Sequence, residues 1–123
     1  MNPLERLNQA LDYLESRLDE EIDYAELADL ACCSEHHFRR IFSFLAGVSL
    51  SEYVRLRRMT LAGLELQSTD VRVIDLAVRY GYGSADSFTR AFQGVHGCNP
   101  SEARAEKRAL VSFPRLSFRM AIE

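Results

Sequence analysis

The sequence predicts an all-α protein of two tandem helix-turn-helix subdomains, about seven helices in all, joined by a long linker helix and followed by a short β segment. Three observations carry this. Apolar residues recur at helical spacing, not in the alternation of strands, through most of the 123 residues. The three prolines and six glycines leave most of the chain open to helix. A block of the chain also repeats itself at an offset of 49 to 50 positions.

The helices follow in order. Asn2, Pro3 and Glu5 form an N-cap, a first-turn proline and a capping-box acid ahead of the stripe Leu4, Leu7, Leu11, Leu14 and Leu18. Ile22, Asp23, Glu26 and Leu27 supply a staple and a box for a short second helix ending near Ala31, and Ser34 caps a third that runs to about Leu45 before Gly47. Ser49 and Glu52 open a longer helix from Leu50 to about Leu66, about 26 Å long at 1.5 Å per residue. A short helix covers Val73 to Tyr80, Ser84 caps another to about Val95, and Asn99, Pro100 and Glu102 start a last one to about Ala109. The expected organisation is residues 1–48 as the first subdomain, 49–67 as the linker helix, 68–109 as the second subdomain and 110–123 as a tail. Tyr13 and Tyr24 are expected in the core.

The repeat decides the motif. Leu27-Ala28 meets Leu76-Ala77 at an offset of 49, and Ser34, Phe38, Arg40, Phe42, Gly47, Ser51 and Glu52 meet Ser84, Phe88, Arg90, Phe92, Gly97, Ser101 and Glu102 at 50. A short helix, a tight turn and a Ser-capped helix carrying Phe-x-Arg-x-Phe is the grammar of a helix-turn-helix. Phe38, Ile41, Phe42 and Leu45 form one apolar stripe, and Phe88, Ala91, Phe92 and Val95 its counterpart. The opposite stripes are His36, Arg39, Arg40 and Ser43, and Asp86, Thr89, Arg90 and Gln93. Each of these side chains can hydrogen-bond to a base edge or phosphate, and the second helix of such a motif is the one that fits the major groove of B-DNA. Ser34 and Ser84, at helix starts, place backbone N–H groups where a phosphate can be held. Taken singly, either stripe reads as a solvated face; its duplication favours DNA.

Charge supports the same reading once it is divided. The net charge is −3, but residues 1–31 carry −7, residues 32–109 carry +3 and residues 110–123 carry +1. Only Lys107 among fifteen basic residues is a lysine, and guanidinium forks match phosphates and guanine edges. Arg55, Arg57, Arg72 and Arg79 are candidate phosphate partners. The acidic run Glu15, Asp19, Glu20 and Glu21 is expected to lie away from DNA as a solvated face, with a basic partner such as RNA polymerase as its functional alternative.

Other classes fit poorly. No apolar stretch approaches the roughly 20 residues of a bilayer span. Met1 to Asp12 carries charges where a secretory leader has an apolar core, so a cytoplasmic protein is expected. Cys32, Cys33 and Cys98 are an odd number at unrepeated spacing, which reads as free thiols in a reducing compartment. Cys32, Cys33, His36 and His37 fall within six positions, but adjacent pairs diverge on a helix and do not make the spaced ligand pairs of a zinc site. No glycine-rich phosphate loop and no nucleophile with an evident base is present, so no enzymatic activity and no cofactor are expected. A helical protein-interaction module without DNA binding and, behind it, a metal-responsive regulator are the alternatives.

The residues Leu27-Ala28, Ser34, Phe38-x-Arg40-x-Phe42, Gly47, Tyr53, Arg58, Leu76-Ala77, Gly81-Tyr82, Ser84, Phe88-x-Arg90-x-Phe92 and Pro100 resemble the DNA-binding domain of AraC/XylS-type transcription regulators, over about residues 4–108. The resemblance implies two helix-turn-helix subdomains on a linker helix, binding to double-stranded promoter DNA, and activation of transcription through RNA polymerase. By matched positions the base-facing residues fall at His36, Arg39 and Arg40, and at Asp86, Ser87, Thr89 and Arg90. The family pattern has an aromatic where Ala103 precedes Arg104 here, which implies a less tightly packed last helix. In residues 110–123, Leu116, Phe118, Met120 and Ile122 alternate with Ser117, Arg119 and Ala121, a strand pattern. The tail resembles the lead-in to a GyrI-like effector-binding domain, which implies a small-molecule effector bound by a domain outside this chain; an unstructured or edge-packed tail is the alternative.

Overall fold

The computed structural model describes residues 2–119. They contain seven helices: α1 (Pro3–Ser16), α2 (Tyr24–Leu30), α3 (Glu35–Ala46), α4 (Leu50–Ser68), α5 (Val73–Arg79), α6 (Ala85–His96) and α7 (Pro100–Glu106). Two compact units result, one made of the chain up to Val54 together with the tail from Arg115, the other running from Arg55 to Pro114. The start of α4 belongs to the first unit and the rest of it to the second.

In the first unit the caps form where the side-chain chemistry places them. Asn2 accepts from the Glu5 N–H at 2.9 Å while the Glu5 carboxylate accepts from Asn2, closing the capping box. Asp23 accepts from Glu26 N–H, Ser34 from His37 N–H and Ser49 from Glu52 N–H, each at 3.1 Å. Helix α1 stops at Ser16, two residues short of Leu18, because the Arg17 N–H turns back to the Leu14 carbonyl; Leu18 is buried all the same. Leu7, Leu11, Leu14, Leu27, Phe38, Phe42, Leu50 and Tyr53 fill the core, and the Phe42 ring lies 5.2 Å from Tyr53. Tyr13 and Tyr24 are not core residues. Both are half-buried, and their faces carry the guanidinium groups of Arg17 and Arg39 at 4.8 and 4.2 Å.

The second unit is built on Met59, Ala62 and Leu66 of α4, Leu76 and Ala77 of α5, Phe88 and Phe92 of α6, and Tyr80, Cys98 and Ala103. Helix α7 ends at Glu106, earlier than expected, because Lys107 adopts a left-handed conformation with φ of 47°. Its anchor is polar: Arg104 donates to the carbonyls of Leu66 at 3.0 Å, Thr69 at 3.2 Å and Val71 at 2.5 Å, beside completely buried Ala103. The Leu66 carbonyl is in the last turn of α4 and the other two follow its end, so the guanidinium satisfies acceptors that have no intrahelical donor and complements the negative helix end.

The two helix-turn-helix turns match bond for bond. After α2, Cys33 N–H reaches Ala28 O at 3.0 Å and Cys32 N–H reaches Asp29 O at 3.0 Å; after α5, Tyr82 N–H reaches Ala77 O at 2.8 Å and Gly81 N–H reaches Val78 O at 3.2 Å. All four pairs differ by 49 positions. Each turn pivots on one left-handed residue, Gly81 with φ of 82° and Cys32 with φ of 59°. A side chain in that region costs about 1–2 kcal/mol per residue, which glycine avoids. The copy with the cysteine therefore holds its turn under mild strain.

The tail departs from the sequence reading. Its described part, to Arg119, has no regular secondary structure and forms no strand; Met120, Ala121 and Ile122, which completed the alternation, lie outside the described residues. Side chains take the place of a neighbouring strand. Val111 N–H donates to His96 Nδ1 at 3.0 Å, Phe113 N–H to Thr60 Oγ1 at 2.9 Å, Leu116 N–H to the Tyr53 hydroxyl at 3.1 Å and Phe118 N–H to Asn8 Oδ1 at 2.8 Å. Asn8 Nδ2 returns a bond to Phe118 O at 2.7 Å. Leu110 lies against Gly63, where a Cβ would come 2.8 Å from Leu110 Cδ1, so this mid-helix glycine makes room for the tail.

His96 couples this packing to pH. Its Nε2 lies 2.8 Å from Met59 O, which only accepts, and its Nδ1 receives Val111 N–H, which only donates, so the neutral Nε2–H tautomer satisfies both. Burial lowers its pKa below the ordinary imidazole value, partly offset by the bond to Met59. The neutral form is thus favoured in the fold, and its stabilisation is complete above the ordinary imidazole range and lost as pH falls through it. Thermal melting of the wild type should decline from pH 7.5 to pH 5 more steeply than that of His96→Gln, which should be less stable at pH 7.5 by about 1 kcal/mol, the scale of one hydrogen bond.

Candidate nucleic-acid interface

Burial of the aromatic pairs fixes what α3 and α6 present to solvent. Phe38 and Phe42, and Phe88 and Phe92, are essentially inaccessible, so the arcs opposite them face out. On α3, His36, Arg40 and Ser43 are exposed; on α6, Asp86, Arg90 and Gln93 are exposed and Thr89 is half-buried. Arg40 and Arg90 make no hydrogen bond or ion pair with any described residue. They occupy the same place in both copies, two residues after the first buried phenylalanine and two before the second.

Arg39, also expected to face a base, keeps its side chain 37% exposed but has partners within its own unit. It bonds Glu35 at 3.4 Å and Ser51 Oγ at 3.3 Å and lies flat on Tyr24. These bonds tie α3 to α2 and to the first turn of α4, so its fork is occupied within the unit. Ser34 and Ser84 spend their hydroxyls as caps, the latter accepting from Ser87 N–H at 3.0 Å while Ser87 Oγ bonds the Ser84 backbone. The Ser84–Ser87 pair is a capping box that Asp86, one residue off register, does not form.

Each of the four candidate phosphate arginines interacts with groups of the fold. Arg57 is only 8% exposed and donates to Phe113 O at 2.6 Å, which rules it out as a surface cation. Arg72 holds Asp75 through two bonds of 3.0 and 3.3 Å, and Arg79 pairs with Glu65. Arg55 remains half-exposed, with Nη1 3.7 Å from where a Gly94 side chain would begin, next to α6. Arg58 is similarly placed, with Nη1 3.8 Å from the Cβ position of Gly81, beside the turn. Both guanidiniums act on Tyr82, whose pKa is raised by burial and pulled back by their charge. Sequence reasoning passed over Phe44, which is 87% exposed on α3; its counterpart in α6, fifty positions on, is Gly94. The helix starts near Cys33 and His37 hold no metal-ligand cluster among the described residues, and burial pushes the Cys33 thiol pKa up.

The helix-turn-helix domain family model matches residues 27–106. An uncharacterized HTH-type transcriptional regulator of Bacillus subtilis, YbfP, is 33% identical over 112 residues, 91% of this chain and 38% of the relative. The HTH-type transcriptional activator AarP of Providencia stuartii is 33% identical over 95 residues, 77% of this chain and 70% of AarP. Among solved structures, an AraC-type regulator from Chromobacterium violaceum superimposes with a TM-score of 0.76 at 22% identity, covering 84% of this chain and 92% of its own. The DNA-binding domain of AdpA, solved with a target DNA, gives 0.75 at 27% identity, covering 83% and 92%. A doubled helix-turn-helix on one long helix is the class that fold and faces define. The chain belongs to the AraC-type helix-turn-helix transcriptional regulators, a family and fold of regulators and not of enzymes. It spans little more than a third of the Bacillus subtilis relative.

The two adjacent arginines should separate in a urea titration. Arg39→Ala should cost about 1 kcal/mol through the lost cation–π contact and carboxylate pair. Arg40→Ala, which removes no hydrogen bond or ion pair with any described residue, should stay within about 0.5 kcal/mol of wild type.

Proposed function

We propose that the chain binds double-stranded promoter DNA in a sequence-specific manner, with α3 and α6 entering adjacent major-groove segments. The observation that carries this reading is the matched pair Arg40 and Arg90: exposed, without a hydrogen bond or ion pair to any described residue, and set at one register on two helices whose turns agree bond for bond. Each fork reads a guanine through O6 and N7. His36 and Ser43 flank Arg40, and Thr89 and Gln93 flank Arg90, as further base-edge or phosphate contacts. Asp86 carries the wrong charge for phosphate and suits a cytosine amino group. The exposed N-termini of α3 and α6, capped by Ser34 and Ser84, with Ser87 beside the second, sit against the backbone.

The relative named as an activator and the DNA complex of AdpA support activation from a bound promoter site. RNA polymerase is the partner such activation calls for, and a small-molecule effector would act through a domain outside these residues. The place of action is the bacterial cytoplasm, at the nucleoid.

Binding-site selection followed by footprinting should protect about two helical turns, the span of two recognition helices in successive grooves. Arg40→Ala and Arg90→Ala should each weaken the selected site by about tenfold to a hundredfold and relax preference at one guanine, in different halves. Affinity should also fall linearly with salt on logarithmic axes. Unchanged affinity and preference in both variants would refute the assignment, and a salt-insensitive interaction would favour a protein-binding module.

A further inference from the structure

We infer that Phe44 is a specificity-determining residue that packs its ring on the C5-methyl group of a thymine, in the half of the site bound by α3. The inference rests on the reading that α3 lies in the major groove. Phe44 is the most exposed of the large apolar side chains described, at 87%, on a helix whose other two phenylalanines at that end of the sequence, Phe38 and Phe42, are fully buried. No ring contact with another aromatic of the described residues engages its side chain, and it lies outside the buried core. Its apolar surface is left uncovered in the free protein, so covering part of it on binding is favourable.

Its surroundings select the partner. The shallow concavity beside the ring is lined by His37, Arg40, Ile41, Phe44 and Leu45, with no carboxylate, although the first 31 residues alone carry nine acids. A surface that pairs an aromatic with an unpaired guanidinium and excludes acids complements a polyanion that also displays an apolar group. In the major groove that group is the thymine methyl, which apolar side chains contact. Phe44 follows Arg40 by four residues, so the two project about 40° apart around the helix and about 6 Å apart along it. At 3.4 Å per base step, the thymine lies about two base pairs from the guanine read by Arg40. In α6 the same position is Gly94, so only one half of the site carries the methyl requirement, and the two halves are told apart by more than their arginines.

The test uses the whole chain and the selected duplex, with each thymine replaced singly by deoxyuridine, which removes only the methyl group. Wild type should lose about fourfold in affinity at one thymine in the α3 half, the effect of about 0.8 kcal/mol for one methyl-sized group. Phe44→Ala should bind the unmodified duplex about as weakly as wild type binds that deoxyuridine duplex, and should be indifferent to the replacement. Arg40→Ala, weaker overall, should keep the methyl sensitivity. Melting temperature should be unchanged in Phe44→Ala, since the ring is outside the core. Wild-type indifference to every deoxyuridine, or a Phe44→Ala variant that stays methyl-sensitive or binds like wild type, would overturn the inference. If Arg40→Ala and a scrambled duplex leave wild-type affinity intact, the groove reading itself has failed instead.

Discussion

The turn that joins α2 to α3, and its copy that joins α5 to α6, is the constraint on which the rest depends. A six-residue hydrogen-bonded closure, Cys33 to Ala28 and Tyr82 to Ala77, with one residue in the left-handed region, sets the direction in which the next helix leaves. Once that direction is set, Phe38 and Phe42, or Phe88 and Phe92, can reach the core only along one stripe. The outward arc is then no longer free to vary, and the arginine between the two phenylalanines is held in solvent. Glycine makes this turn without strain in the second unit; the first makes it with Cys32 and the same bonds.

A chain with fourteen arginines divides them by the partners the fold supplies. Arg104 closes the end of α4, Arg57 holds a tail carbonyl from the interior, and Arg39, Arg72 and Arg79 are paired with carboxylates of their own unit. These forks stabilise the fold through directional bonds to carbonyls and carboxylates. Arg40 and Arg90 differ in having no such bond with any described residue, which leaves both forks open to solvent. The same logic applies to Phe44, which is notable because every other requirement of an aromatic in this helix has been met elsewhere.

The tail shows how an alternating sequence can be seated without becoming a strand. Its N–H groups would need a neighbouring ladder, and His96, Thr60, Tyr53 and Asn8 supply acceptors one by one. Those acceptors lie far away in the sequence, and one of them is an imidazole whose pKa is lowered by burial, so the seating of Val111 in the second unit is tied to the neutral form of His96.

What the sequence determined by itself is local: the positions of all seven helices, their serine, asparagine and aspartate caps, and the doubled motif, because capping and helical periodicity act within four residues of the chain. It also placed Arg40 and Arg90 on the outer arc, since the buried phenylalanines two positions away define the opposite face. Only the tertiary structure decided which arginines are consumed, that Tyr13 and Tyr24 stay at the surface under Arg17 and Arg39, that the tail forms no strand, and that Phe44 is left bare. Each of those outcomes depends on groups from 4 to 110 positions apart being brought together, and no periodicity in the chain encodes which of them will meet.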